Sequence, residues 1–193
     1  AHKYKAMVMV DEAHGTGVFG KNGRGVVEHF NLSKKVSIVM GTLSKAVGSL
    51  GGYVSGDTDL INFLRNKARP FMYTTALPPA VCAASIAGIK LIRKDPSLRK
   101  SLWNNVRYLK KELDLLNFNL IPSESPIIPI LIGDAKKAVA VSKFLYKKGI
   151  LIPAIRPPTV PARSSRLRMT VMSTHTKKDL ERLLEVLSDV QDL

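Results

Sequence analysis

The sequence predicts an α/β protein in two parts: a portion of a parallel, doubly covered sheet over residues 1–94 and a small α+β domain over 95–193. Three observations predict it. A continuous apolar run, residues 6–10 (AMVMV), and a second strand candidate, residues 36–40 (VSIVM), each lead into a glycine-rich turn; an unbroken apolar run suits a strand buried on both faces. The pair Asp95-Pro96 is a fresh helix start, with Asp as N-cap and Pro at the first helical position. Beyond it the elements are short and alternate between helical and strand spacing.

In chain order, residues 6–10 are the first strand and residues 11–25 (DEAHGTGVFGKNGRG) a loop with special backbone angles. The strand 36–40 runs into a second polar turn, 41–52 (GTLSKAVGSLGG), and then a short strand, 52–55. Residues 59–68 have helical spacing, and 78–94 read as a well-buried helix with Pro at its start. Leu98, Leu102, Val106, Leu109, Leu113 and Leu116 form one apolar stripe on the next helix. Residues 126–132 (PIIPILI) read as an edge strand because of their prolines. A helix over 135–148 is capped by Asp134 and stopped by Gly149. Strands follow at 150–155 and 166–172. Thr176 with Asp179 resembles a capping box, opening a last amphipathic helix with Leu180, Leu183, Leu184, Leu187 and Val190 inward. A strand buried on both faces needs more neighbours than these, so further strands are expected outside this chain.

Composition narrows the class. No apolar run approaches the roughly 20 residues that span a bilayer, and residues 1–5 (AHKYK) do not open a signal peptide. A single cysteine, Cys82, excludes an internal disulfide framework and suits a reducing, cytoplasmic location. The net charge of +15 is spread evenly, +8 over residues 1–94 and +7 over 95–193. Such an excess fits a nucleic-acid surface, a polyanionic small substrate, or simple solubility.

Two turns carry the chemistry. Residues 8–14 (VMVDEAH) end an apolar strand in an acid, which places a carboxylate at the C-terminal rim of a sheet, where open α/β folds bind ligands. Three readings stay open on these residues. Asp11 and Glu12 could hold a metal–nucleotide, as in a DEAH-box helicase. Asp11 could bond a cofactor's pyridine nitrogen with His14 beside the ring. The acids could merely cap the next element. Residues 41–45 (GTLSK) favour the second reading: Thr42 and Ser44 offer hydroxyls to a phosphate, and Lys45 offers an amine that can form a Schiff base. The turn lacks the order of a Walker phosphate loop, and no Ser-Ala-Thr helicase motif follows. No set of metal ligands is read from the sequence.

DEAHGTGVFGKNGRG, GTLSKAVGSLGGYVSG and RPFMYTTALPP, in that order, resemble the α-oxoamine synthase family of fold-type I pyridoxal phosphate (PLP) enzymes. The resemblance implies the C-terminal part of an aspartate aminotransferase-like large domain, residues 1–94, followed by the small domain, 95–193. It implies PLP as cofactor, decarboxylative condensation of an amino acid with an acyl-CoA thioester, and a homodimer with a shared active site. It implies neither nucleic acid nor membrane as a partner. Asp11 would then pair with the protonated pyridine nitrogen, keeping the ring an electron sink. His14 would hydrogen-bond the phenolic oxygen, Thr42 would hold the phosphate, and Lys45 would form the Schiff base and serve as base. Thr75 (or Thr74) would reach the partner subunit's phosphate.

In residues 155–170 (IRPPTVPARSSRLRMT) the resemblance marks Arg168 for the substrate carboxylate, which a guanidinium grips in two parallel bonds, and Thr159 for a further substrate contact. Arg168 follows Arg166 by two in an alternating strand, with Leu167 on the other face; the remaining arginines are expected to be solvated. RPPTVP and RPFMYTTALPP are nearest to the member that joins a pimeloyl thioester to L-alanine; the alternative pair is glycine with acetyl-CoA. A fold-type I site also needs a ring-stacking residue and a glycine-rich phosphate turn from an earlier half, so this chain alone is expected to bind PLP weakly and to be inactive. A non-catalytic fragment is the third class.

Overall fold

In the computed structural model, which describes residues 1–190, the chain divides into two compact units, one comprising Ala1–Arg99 and the other beginning at Lys100. In the first unit a single 3-10 turn, His2–Tyr4, leads to strand β1 (Met9–Asp11). A one-turn helix α1 (Val26–His29) follows, then β2 (Ile38–Thr42) and β3 (Gly52–Ser55). The three strands form one sheet in the order β1-β2-β3, β1 parallel and β3 antiparallel to β2. Helices α2 (Thr58–Lys67), α3 (Arg69–Met72) and α4 (Pro79–Lys94) complete the unit.

The first strand is shorter than its apolar run. Val8 still accepts from the Ser37 and Ile38 amides, both at 3.0 Å, but Ala6 turns back to bond Ala1, so only residues 9–11 enter the ladder. The second strand is displaced the other way: it reaches Thr42, because Gly41 and Thr42 pair with Tyr53 and Gly52.

Two expectations of burial fail in this unit. The strand 6–10 is not covered on both faces, since Met7 and Met9 are exposed, and α4 is not well buried. Only Ser85 of α4 is buried, while Ile86 and Ile89 are 54% and 48% exposed. The reason is geometric. A helix that is apolar all round needs neighbours on all sides, and within this unit the positions that meet other elements are Val81, Ser85, Gly88 and Ile92. The other face of α4 has no cover among residues 1–99.

The second unit is better filled. Helix α5 (Ser97–Leu115) starts where Asp95 accepts from the Ser97 amide at 2.8 Å. It buries Leu102, Val106, Leu109 and Leu113; Leu98 is exposed and Leu116 half-buried. Strand β4 (Ile127–Gly133), helix α6 (Ala135–Lys147), strand β5 (Ala154–Ile155), strand β6 (Ser165–Thr170) and helix α7 (Lys177–Ser188) follow. The sheet is antiparallel with order β4-β6-β5, so the proline-bearing β4 is its outer strand, though Leu120 bridges Ile130 on the far side and Ile121 donates there to the Pro129 carbonyl. Alternate residues Ile128 and Ile130 of β4, with Leu167 and Met169 of β6, face inward with Ala138, Val141 and Leu145 of α6.

The strand expected over 150–155 shrinks to two residues because its backbone is already committed. Ile150 donates to Leu145, the Ser142 hydroxyl takes the Ile152 carbonyl at 2.6 Å, and Pro153 has no amide hydrogen. Both helix caps hold: Asp134 accepts from Lys137, and Thr176 with Asp179 forms a reciprocal capping box. On α7 Val186 is buried and Leu184 only half-buried. No helix among the described residues is long and apolar enough to cross a membrane.

Two outcomes follow for stability. Leu145→Ala, which empties a fully buried position, should cost about 2–5 kcal/mol in a denaturant titration. The Thr176 hydroxyl, and next its amide, hold the Asp179 carboxyl below the ordinary carboxylate range. A depressed folded-state pKa stabilises the fold above the unfolded value and loses that effect as pH falls through the folded one. Asp179→Asn should therefore flatten the acid limb of the stability profile and leave the slope at neutral pH unchanged.

Candidate active site

Asp11 ends β1 opposite Met40, and Thr42 ends the neighbouring parallel strand, so both leave the sheet at the same edge. Asp11 is exposed; one carboxylate oxygen accepts from the Ala13 amide at 2.8 Å and shapes the turn after the strand. His14 follows, also exposed.

Glu12 points the other way. Its amide donates to Met40 at 2.7 Å, continuing the ladder, and its side chain is 0% exposed. The two carboxylate oxygens accept from the Val26 and Val27 amides at 2.8 and 2.7 Å. Glu12 thus closes the loop 12–27 on itself. Gly15 and Gly25 lie against this carboxylate, where an added Cβ would come within 1.8 and 2.2 Å of its oxygen. This overturns the reading in which Asp11 and Glu12 together hold a metal–nucleotide: the second carboxylate is buried and fully used by the backbone.

The second turn hangs from β2 and β3. Leu43 donates to Gly51 at 2.8 Å, Ser49 to Leu43 at 2.8 Å and Gly48 to Lys45 at 3.0 Å, which puts Lys45 at the exposed tip of a closed loop. The Thr42 hydroxyl donates to the Gly51 carbonyl at 3.1 Å and lies 2.7 Å from the Ser44 hydroxyl.

Three contacts seat this loop, and none was read from the sequence. Ala46, next to Lys45, packs against Gly17 of the first loop, where a Cβ would approach it to 2.8 Å. Val47 is buried over Gly88 of α4; a Cβ there would lie 2.5 Å from the Val47 carbonyl oxygen. The Ser49 hydroxyl meets Ser85 at 2.8 Å and the Val81 carbonyl at 3.1 Å. A signal existed for one of these: a lone glycine inside a helical run usually marks close packing. Arg99 is a further missed residue. It is buried, and its guanidinium donates to Ile92 at 2.6 Å and to Lys21 of the first loop at 2.9 Å.

The other expected residues stand elsewhere. Thr74 and Thr75 lie in the fully exposed segment between α3 and α4, where the Thr74 hydroxyl accepts from Ala76. Thr159 and Arg168 belong to the second unit. Thr159 is exposed in a turn closed by its own amide on Arg156 at 3.1 Å. Arg168 pairs with Pro129 in the sheet, on the face opposite Leu167 and Met169, as the alternation predicted. A cleft of ≈ 330 Å³ lined by Ser33, Ser37, Ser55 and Asp57 holds none of these residues.

Residues 1–187 match the family model for aminotransferase class I and II. The chain belongs to the aminotransferase class I and II family. Within that family it is 50% identical over 190 residues to a putative 8-amino-7-oxononanoate synthase of Rippkaea orientalis, covering 98% of this chain and 49% of the relative. It is 46% identical over 185 residues to the 8-amino-7-oxononanoate synthase of Thermosipho melanesiensis, covering 96% and 47%. The chain spans about half the length of the curated relatives it matches.

Solved structures of similar proteins agree on the fold. A serine palmitoyltransferase of Sphingomonas wittichii superposes with a TM-score of 0.94 at 34% identity, over 99% of this chain and 48% of the other. An 8-amino-7-oxononanoate synthase of Francisella tularensis superposes with a TM-score of 0.85 at 31% identity, over 95% and 54%. Both are α-oxoamine synthases, the group to which the motifs pointed.

Two substitutions check the packing of the site. Gly88→Ala forces a Cβ onto the Val47 backbone and should lower stability by about 1–3 kcal/mol in a denaturant titration. Glu12→Gln replaces one acceptor by an amide that cannot accept, and should cost about 1–3 kcal/mol, with faster hydrogen exchange at Val26 or Val27.

Proposed function

We propose that this chain carries the lysine-bearing half of a PLP-dependent acyltransferase site, in an enzyme that condenses L-alanine with pimeloyl-CoA. The products are 8-amino-7-oxononanoate, CO₂ and coenzyme A, the carbon-joining step that serves biotin synthesis. The observation that supports it most is the convergence of Asp11, Thr42 and Lys45 on one sheet edge in a chain 44–50% identical to relatives of that name. Residues 1–94 would supply part of the PLP-binding large domain and 95–193 the small domain. A glycine-using 2-amino-3-oxobutyrate CoA ligase is the alternative within the same chemistry.

The donor set fits the cofactor. An exposed carboxylate, an exposed primary amine and a pair of hydroxyls stand on neighbouring strand ends. Bound PLP supplies an electron sink for the pair left on the substrate's α-carbon. Asp11 would pair with the ring nitrogen and keep a proton there. His14 donates to or accepts from the phenolic oxygen. Lys45 would hold the cofactor covalently through Nζ and would serve as the base for the substrate's α-proton. Thr42, whose hydroxyl donates to the Gly51 carbonyl, would hold the phosphate. Arg168, on the coreless face of β6, is the candidate grip for the substrate carboxylate, with Thr159 beside the substrate.

A homodimer is part of the proposal. The segment that bears Thr75 also exposes Phe71 and Tyr73, at 61% and 76%, as a segment that meets a partner subunit would. An earlier half of the polypeptide would add the ring-stacking residue and the phosphate turn, and the whole enzyme would work in the cytoplasm without nucleic acid or membrane.

The test combines this chain with the complementing residues of the full-length enzyme and adds PLP. Visible absorbance of a lysine-linked cofactor should appear, and borohydride should fix a phosphopyridoxyl group on the peptide containing Lys45. Lys45→Ala should lose both signals while remaining folded. Absorbance that persists in that variant, or none in the parent, defeats the proposal.

A further inference from the structure

The first loop carries Asp11 and His14; the second turn carries Thr42 and Lys45. Chemistry shared between them needs a set separation, and the structure contains a side-chain bracket that sets it. Tyr53, on β3, pairs with Gly41 and lays its ring over that residue, where a Cβ would come within 2.7 Å of the ring and of its hydroxyl. The phenol then reaches across to the first loop and meets the Thr16 hydroxyl at 2.6 Å, in a part-buried hydrogen bond. Thr16 is held in turn, its amide donating to the Glu12 carbonyl at 2.9 Å. The contact of Ala46 with Gly17 lies one residue from each partner motif, so the two loops touch at a second point.

We propose that Tyr53 and Thr16 are positioning residues, whose hydrogen bond locks the Lys45 turn onto the Asp11–His14 loop. The inference rests on the PLP reading for its consequence and on the bracket alone for its geometry. Gly41 is part of the device: any side chain there would push the Tyr53 ring out of reach of Thr16. A bracket of this kind should act on the orientation of Lys45 relative to Asp11, not on stability alone.

The experiment uses the full-length enzyme with PLP, in the variants Tyr53→Phe, Thr16→Val, the pair together, and Thr16→Ser. Each single loss of the hydrogen bond should weaken PLP binding by about fivefold and move the pH midpoint of the lysine-linked absorbance by about half a unit. The double variant should be no worse than either single one, because only one bond is lost, and Thr16→Ser should restore the parent values. PLP affinity and midpoint unchanged in the single variants, or effects that add in the double, overturn the proposal even where the melting temperature falls. Hydrogen exchange without cofactor separates the two claims. Residues 12–25 and 43–51 should become less protected together in Tyr53→Phe; a loss confined to β3 overturns the bracket. A parent enzyme with no lysine-linked absorbance would sink the PLP reading instead, and the exchange result would still decide the bracket.

Discussion

The buried carboxylate of Glu12, accepting from the Val26 and Val27 amides, is the constraint on which the first unit's site depends. A charge taken wholly out of water is costly unless every lone pair it exposes to the interior is met. Here two backbone donors meet it at 2.7–2.8 Å, and Gly15 and Gly25 leave room for it. The loop 12–27 is therefore closed at its base, with Asp11 at the strand end before it and His14 just inside it. Neighbouring acids in sequence take opposite tasks because successive residues at a strand end face opposite ways: Asp11 outward to the rim, Glu12 inward to the loop.

The second turn is held by different means. Among the described residues no ion pair or buried charge fixes Lys45; small residues do. Gly17 admits Ala46, Gly88 admits Val47, and paired serine hydroxyls tie Ser49 to α4. Close-packed interiors respond to single methyl groups, so such contacts define position well while leaving the lysine itself exposed and able to react. Tyr53 and Thr16 then relate this turn to the first loop. The apolar residues left exposed on α4 and after α3 contrast with the filled core of the second unit, where α5, α6 and α7 bury most of their apolar stripes.

Much of the fold was legible because its signals are local. The caps at Asp95, Asp134 and Thr176 lie in the sequence beside the amides they serve. The period-two alternation of β6 sets Leu167 and Arg168 on opposite faces, and Leu167 is the buried one. The misplacements came where a backbone group found a distant or unexpected partner. Ile150 and Ile152 spend theirs on α6, and Gly41 and Thr42 extend β2 because β3 folds back to meet them.

The sequence by itself determined the family, the order of elements and the chemical types gathered at two turns: a carboxylate, an imidazole, hydroxyls and an amine. Those are properties of residue identity and spacing. Only the tertiary structure decided which acid of the Asp11–Glu12 pair faces the rim, that Tyr53 joins Thr16, that Gly88 seats the Lys45 turn, and that α4 keeps one face in the open. Each of these depends on residues far apart in the chain meeting at distances of a few ångströms, and no local period or cap encodes such a meeting.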